Sequence, residues 1–433
     1  MRKLIDLLPY EETIQCVRCG YCLPACPTYL TMGTETHSPR GRINLVKMAA
    51  EGHLSISDLE NPIELCLGCR ACETACPSGV QYGKILEGAK EAIYKHKSEN
   101  ISNIKKTAQD ALFMKLFPNS QKWTTIADLL WLYQTSGLQK VAHKGNLTKV
   151  LPENLSVFEG VMPNVTSPLA RRKRPTLFPA VNSEKPIYKV AFFTGCIMDA
   201  LFEKINRLSM ELLSRAGCEV HVIQEQTCCG ALHAHAGRKD DSVTLAKKNI
   251  EVFESIEVDF IVNNAGGCGA LLIEYDHLLA EQGDEWTNRA KAFVKKTKDI
   301  SQILFDCKVS LNQPVNATVT YQRSCHMTNV QKVTEEPVAL LKQIPGIVYK
   351  EMENPHMCCG SAGIYNVVNY KESMEVLDEK MIMAKKTDAT IVVTTNPGCL
   401  LQMKLGVQRE GLNEKVRVVH LVELLAAAAG LGE

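Results

Sequence analysis

From residue 188 onward, hydrophobic positions alternate between two periodicities. "YKVAFFTG" is β-rich and stops at Cys196; Leu201, Ile205, Leu208 and Leu212 then recur at helical spacing, and Gly217 ends the run. "CEVHVI" reads as a second short strand leading into Cys228 and Cys229, a polar helix begins at about Arg238, and the strand "VDFIVNN" precedes Cys268. The same order follows again: "ATVTYQ" to Cys325, a helix toward Leu341, "GIVYKE" before Cys358 and Cys359, a helix around Lys371 to Lys385, and "ATIVVTT" before Cys399. Strands alternating with helices predict a parallel α/β sheet in each half.

The two halves are a duplication. Cys196, Cys228, Cys229 and Cys268 are matched by Cys325, Cys358, Cys359 and Cys399 at offsets of 129, 130, 130 and 131 residues. All eight follow the carboxyl ends of expected strands, where α/β sheets collect ligands. Adjacent cysteines are poor disulfide partners, because the bridge strains a planar trans peptide. Each adjacent pair therefore reads as two ligands from one turn, with Gly230 or Gly360 permitting the backbone conformation. Four thiolates per copy fit an iron-sulfur cluster, a zinc ion or a redox pair of cysteines.

The first 98 residues carry a different repeat. "CVRCGYCLPACP" places Cys16, Cys19, Cys22 and Cys26 before Pro27, and "CLGCRACETACP" places Cys66, Cys69, Cys72 and Cys76 before Pro77. C-x2-C-x2-C-x3-C-P is the bacterial ferredoxin run, in which the fourth cysteine serves the other cluster. On that rule Cys16, Cys19, Cys22 and Cys76 hold one [4Fe-4S] cluster, and Cys66, Cys69, Cys72 and Cys26 hold a second. Structural zinc is the competing reading, but zinc sites use paired C-x2-C ligands, often with histidine. Cys218 and Cys307 stand outside both repeats and read as small buried apolar residues.

Eighteen cysteines in a chain of net charge +1, with no secretory leader and no apolar run of about 18 residues, point to metal or redox chemistry in a reducing, cytoplasmic setting. The balanced charge gives no general field for nucleic acid. Residues 100 to 165 contain helical segments such as "WTTIADLLWLYQ". "SPLARRKRPTLFPAVNSEKP", with its basic cluster Arg171 to Arg174, reads as a flexible linker, with contact to anionic lipid or an acidic partner as the sharper alternative. "HLVELLAAAAGLGE" is expected to form a terminal helix docked on the second repeat. His233, His235 and His326 lie near the paired cysteines and are candidates to bind metal or move protons, against the plainer reading of each as an ordinary loop or core histidine, which is favoured. Gly267-x-Gly269 fails as a dinucleotide fingerprint because Leu272 takes the third position; no P-loop, G-x-S-x-G or flavin signature is present. Electron relays without an organic two-electron acceptor imply a partner subunit, and no residue is assigned a catalytic role.

"CVRCGYCLPACPTY", "SPRGRINLVK", "CLGCRACETACPSGVQYG", "GCGALLIEY" and "CCGSAGIY" resemble the iron-sulfur subunit of bacterial glycolate oxidase (glycolate dehydrogenase) across nearly the whole chain. The resemblance implies two [4Fe-4S] clusters on the eight N-terminal cysteines and FAD-containing partner subunits that oxidise glycolate to glyoxylate, with lactate as a secondary substrate. It also implies electron flow to a respiratory acceptor such as quinone, with peripheral contact at the inner face of the membrane. In related heterodisulfide reductase subunits the cysteine-rich motif ends C-x-x-C; here Ala265 and Asn396 replace the first cysteine of that ending. One or two further iron-sulfur or zinc centres at the paired-cysteine sets remain expectations.

The expected fold is α/β with an α+β portion: a helical, ferredoxin-like two-cluster module over 1–98, a helical connector and Pro/basic linker over 99–187, and two duplicated cysteine-rich (CCG) domains over 188–305 and 306–433. Competing functions are the iron-sulfur subunit of an anaerobic glycerol-3-phosphate dehydrogenase, disulfide reduction at a CCG site, and a cluster-bearing sensor or scaffold. Two linked clusters form a wire that a sensor does not need.

Overall fold

A computed structural model describes residues 4–100, 102, 107, 109–145, 152–181 and 185–431. In the N-terminal module, helices Pro39–Ala50, Ile56–Glu64 and Tyr82–Asn100 enclose a core of Ile43, Val46, Leu59, Ile63, Ile85, Leu86 and Ile93. Local chemistry sets their starts. Ser38 accepts from the Gly41 N–H at the head of the first, and Ser55 with Asp58 forms a capping box on the second. Cys26 is the N-cap of helix Pro27–Met32, whose first position Pro27 fills without losing a hydrogen bond.

The connector is helical where described: Ser120–Thr135 contains the "WTTIADLLWLYQ" segment, and Leu138–Lys144, Glu153–Glu159 and Pro168–Arg172 follow. The flexible-linker expectation needs correcting. Ser167 caps the Pro168–Arg172 helix, and Leu177–Phe178 forms strand β1, antiparallel to β3 (Cys218–His221). The basic cluster is half tied down, with Arg172 and Lys173 left exposed. Arg171 pairs with Asp128, and Arg174 pairs with Asp199; both arginines are at most 10% exposed, so neither faces lipid. Asn182, Ser183 and Glu184 of that segment lie outside the described residues.

Each repeat builds one sheet. The first has the order β1-β3-β2-β4-β5, with β2 Tyr188–Phe192, β4 Phe260–Asn263 and β5 Thr297–Asp299; only β1 runs antiparallel to its neighbour. The second has β7-β6-β8-β9, all parallel, with β6 Ala317–Tyr321, β7 Ile347–Tyr349, β8 Ile391–Thr394 and β9 Arg417–His420. The order β3-β2-β4-β5 recurs as β7-β6-β8-β9, as a duplication requires.

One hydrophobic core runs through both repeats, from Phe192, Leu208 and Leu212 to Val319, Leu341, Leu400 and Leu425. The terminal helix Leu421–Ala428 packs against helix Glu203–Arg215 of the first repeat as well as on the second, so it clamps the pair rather than serving one copy.

Candidate metal centres

The two ferredoxin-like loops share a backbone pattern. In Cys16–Cys22, Arg18 and Gly20 have φ of 58° and 89°; in Cys66–Cys72, Gly68 and Arg70 have φ of 62° and 59°. Left-handed residues thus fall at the same two places, with glycine and arginine exchanged. These reversals wind each loop so that three sulfurs border one volume. Cys16, Cys19, Cys22 and Cys76 line one small cavity, with Pro39, Ile43 and Val80. Cys26, Cys66, Cys69 and Cys72 line a second, with Thr28, Arg42 and Tyr82. Each cavity therefore takes three cysteines from one loop and the fourth from the other; Cys72, in the wall between, borders both. Among the described residues no three His, Cys, Asp or Glu side chains are placed to hold a single ion.

The second cavity carries a charge that calls for an anion. Arg42 is 1% exposed; its Nε donates to the Pro62 carbonyl (2.6 Å) and its Nη1 to Thr28 Oγ1 (3.0 Å), while Nη2 has no partner. No carboxylate pairs with it among the ion pairs of the described residues. A buried guanidinium left this way is costly unless a negative group lies beside it. Cys66 registers that field. Burial, the largest influence, opposes its ionisation, yet Arg42, the Tyr82 hydroxyl at 3.4 Å, Lys90 and the Gly68 N–H together hold its thiol below the ordinary value. The other thiols of the module move upward where a shift is resolved: burial raises Cys22 to about 11 and raises Cys69 and Cys72 well above the ordinary range. Such thiols give up their protons only to a metal centre that replaces them. A ring of four cysteines around a cavity bearing an unmatched cation fits a multi-iron cluster with anionic sulfur.

The paired-cysteine sets also assemble. In the first repeat Cys196 lies 3.7 Å from Cys228, and contacts continue through Cys229 to Cys268. In the second, Cys325 lies 3.9 Å from Cys358, with contacts on through Cys359 to Cys399. Gly230 and Gly360 adopt φ of 91° and 92°, and a Cβ at Gly360 would stand 2.6 Å from the Ser373 carbonyl oxygen. Only glycine suits that turn. The hydrogen bond to its neighbour, then burial, raises Cys196 and Cys325 well above the thiol range. Ala265 and Asn396 stand at the sites of the missing fifth cysteine. The Asn396 amide donates to Cys399 Sγ (3.7 Å), and its Oδ1 accepts from the Gly267 N–H of the other repeat (3.0 Å).

The two sets differ in what adjoins them. Helix Cys325–Asn329 is bonded to the ferredoxin-like module: His326 Nε2 meets the Gly68 carbonyl oxygen (3.0 Å), and Asn329 donates to the Cys69 carbonyl (2.8 Å). Cys69, Cys358, Leu67 and Met357 form one apolar cluster with Cys325 against it. The first repeat's counterpart, Ile197–Leu201, packs on the connector helix Ser120–Thr135 instead. Lys380 is fully buried near the second set, donating to the Asn354 carbonyl (3.0 Å). Burial lowers it to about 8 against the pull of Cys359, Cys358 and Cys399.

The candidate histidines divide. His233 is a core residue bonded to the Phe113 carbonyl (2.7 Å). His235 and His326 stack at 5.1 Å, and burial lowers His326 to about 4. Cys218 and Cys307 lie 3.7 Å apart, away from all four sets. Arg42 and Lys380 were not among the residues picked from the sequence; "SPRGRINLVK" contains the first, whereas nothing in the local pattern around Lys380 marks it as buried.

Comparison with known proteins agrees with this layout. A family model for a 4Fe-4S dicluster domain matches residues 12–80, one for the linker region of the glycolate oxidase iron-sulfur subunit matches 104–162, and one for a cysteine-rich domain matches 190–273 and 319–404. A probable glycolate oxidase iron-sulfur subunit of Bacillus subtilis (strain 168) is 49% identical over 97% of this chain and 94% of its own. The glycolate oxidase iron-sulfur subunit of Escherichia coli (strain K12) is 25% identical over 89% of this chain and 88% of its own. Lactate utilization protein A of Halalkalibacterium halodurans is 35% identical over 55% of this chain and 96% of its own.

Proposed function

The chain belongs to the family of glycolate oxidase iron-sulfur subunits, and from that premise we propose that it relays electrons within a glycolate-oxidising complex. In this reading Cys16, Cys19, Cys22 and Cys76 hold one [4Fe-4S] cluster, and Cys26, Cys66, Cys69 and Cys72 hold the other. The single observation that carries it is the pair of cavities, each closed by a cysteine from the opposite loop. Bound there, such clusters supply one-electron transfer. The chain's own residues do the rest. Arg42 offsets anionic charge at the second cavity, and Tyr82 and the Gly68 N–H donate to Cys66. The buried walls keep water from Cys26, Cys66, Cys69 and Cys72, while Cys19 is exposed between exposed Val17 and Tyr21. That contrast supports the Cys19 loop as the end that meets a partner.

Oxidising glycolate to glyoxylate removes two electrons, so flavin subunits carrying FAD are the source, and quinone is the acceptor we favour. Among the described residues no helix is long and apolar enough to cross a membrane, which leaves peripheral contact as the membrane route in this proposal. The paired-cysteine sets hold further iron-sulfur centres. A second substrate, lactate, is favoured by the similarity to a lactate utilization protein over half the chain.

The test is anaerobic purification with the neighbouring gene products, followed by iron and sulfide analysis and an acceptor assay over small 2-hydroxy acids. The proposal expects about eight irons from the N-terminal module alone, bound FAD in a partner, and turnover of glycolate above other acids. Zinc without iron would overturn it.

A further inference from the structure

The duplicated sites correspond at offsets of 129 to 131 residues, and besides Ala265 and Asn396 a second, fully buried pair breaks the match. Ser242 and Ser373 make the same hydrogen bond, to the carbonyls of Gly230 (3.3 Å) and Gly360 (2.9 Å), which sets the register of the following helix at an offset of 131 residues. At that offset Lys380 stands where the first repeat has Asn249. The two do opposite things. Asn249 is neutral and satisfied: it accepts from the Thr227 N–H (3.0 Å), donates to the Cys228 carbonyl (3.0 Å) and meets the Tyr275 hydroxyl (3.1 Å). Lys380 brings an ammonium into the same fully buried place with one hydrogen bond, to Asn354. The carboxylate acting on it, Glu351, is already engaged by Arg323 (3.1 Å) and the Tyr349 hydroxyl (2.6 Å). The groups left to offset the cation are Cys358, Cys359 and Cys399 and whatever they bind.

A second asymmetry, independent of that charge, points the same way. The helix that follows Cys325 is hydrogen-bonded to the Gly68–Cys69 turn, and Cys358 packs with Cys69. The helix that follows Cys196 packs on the connector. The first repeat also touches the module, through the Arg70–Glu274, Glu87–His277 and Glu91–Lys239 pairs and through helix Ala231–His235, which packs on helix Tyr82–Asn100, but its adjacent cysteines Cys228 and Cys229 cluster with residues of the first repeat alone.

We infer that Lys380 sets the two duplicated sites apart, making the second the electron-accepting end of the route that leaves the Cys69 turn. The inference rests on the reading that the second set holds an iron-sulfur centre. In the step itself one electron leaves the centre held by Cys26, Cys66, Cys69 and Cys72 and arrives at the one held by Cys325, Cys358, Cys359 and Cys399; no bond is made or broken and no proton is required. A buried positive charge favours the reduced, more negative member of the couple and so raises the potential at the second site. Asn249 supplies no such charge to the first.

The experiment is a mediated redox titration of the anaerobic full-length protein, followed by electron paramagnetic resonance and visible absorption. Cys358→Ser and Cys228→Ser identify the signals of the second and first sets. In Lys380→Met, at the ambient potential where the wild-type second-site centre is half reduced, the reduced-to-oxidised ratio should fall at least tenfold. That is about 59 mV for one electron. Iron content and the N-terminal signals should stay unchanged, and Lys380→Arg should recover most of the shift. A second-site signal that does not move in Lys380→Met, or a shift confined to the signal lost in Cys228→Ser, overturns the inference while leaving the iron-sulfur reading intact. Absence of any redox signal dependent on Cys358 removes that reading for the second set, and the inference with it.

Discussion

Two cations, Arg42 and Lys380, are buried beside cysteine sulfur. Arg42 is sealed from water with one nitrogen unpaired, so its charge is compensated only when the cavity of Cys26, Cys66, Cys69 and Cys72 holds an anionic group. Replacing it with methionine keeps much of the volume and removes the charge. Arg42→Met is expected to lower the potential of that cluster by a tenfold step in the redox ratio, about 59 mV, and to leave the other cluster nearly unmoved. A potentiometric titration reads both. The cysteines themselves were legible in the sequence, because ligand spacing is local. Arg42 and Lys380 were not: in a sequence they look like any charged helix residue, and only the packing of distant segments over them decides that they are buried.

At the scale of elements, two turns and one cap carry predictions. Gly360→Ala places a Cβ 2.6 Å from the Ser373 carbonyl at a φ of 92°. The strain is on the order of 1–3 kcal/mol, and thermal unfolding together with loss of the second site's metal should report it. Asp299 caps helix Ile300–Asp306, accepting from the Ser301 N–H (2.8 Å), but its Oδ2 is buried without a partner. Burial raises this carboxyl to about 6. The folded state therefore binds the proton more tightly than the unfolded chain, whose carboxyl has its ordinary value near 4. Stability conferred by the protonated form is present below about pH 4 and is lost as pH rises to about 6, on the order of 2–3 kcal/mol. Asp299→Asn should flatten that part of the profile in denaturant titrations.

The elements also mark where the sequence was hard to read. The strands flanking the cysteines stood out either as runs of three or four apolar residues, as in "VAFF", "FIV", "IVY" and "IVV", or by alternation, as in "CEVHVI" and "ATVTYQ". Strands β5 and β9 did not: "TKD" and "RVVH" place charged residues at sheet edges, and their pairing depends on neighbours far away in the chain. Strand β1 was hidden for the same reason. Its two residues sit between prolines in a basic segment, and only pairing with His221 and Val220 orders them.

At the scale of the whole molecule, sixteen cysteines form four groups, and the chain folds so that the second cavity of the N-terminal module meets the second duplicated site. The shared core of the two repeats holds that junction in place, and the terminal helix bridges them. The claim on which the rest depends is that the two N-terminal loops exchange their fourth cysteines. Comparing the magnetic-resonance spectra of reduced Cys26→Ser, Cys66→Ser and Cys16→Ser tests it most directly. Cys26→Ser is expected to disturb the same cluster as Cys66→Ser and to spare the one disturbed by Cys16→Ser. If Cys26→Ser instead matches Cys16→Ser, each loop keeps its own cluster, and the crossed arrangement is wrong.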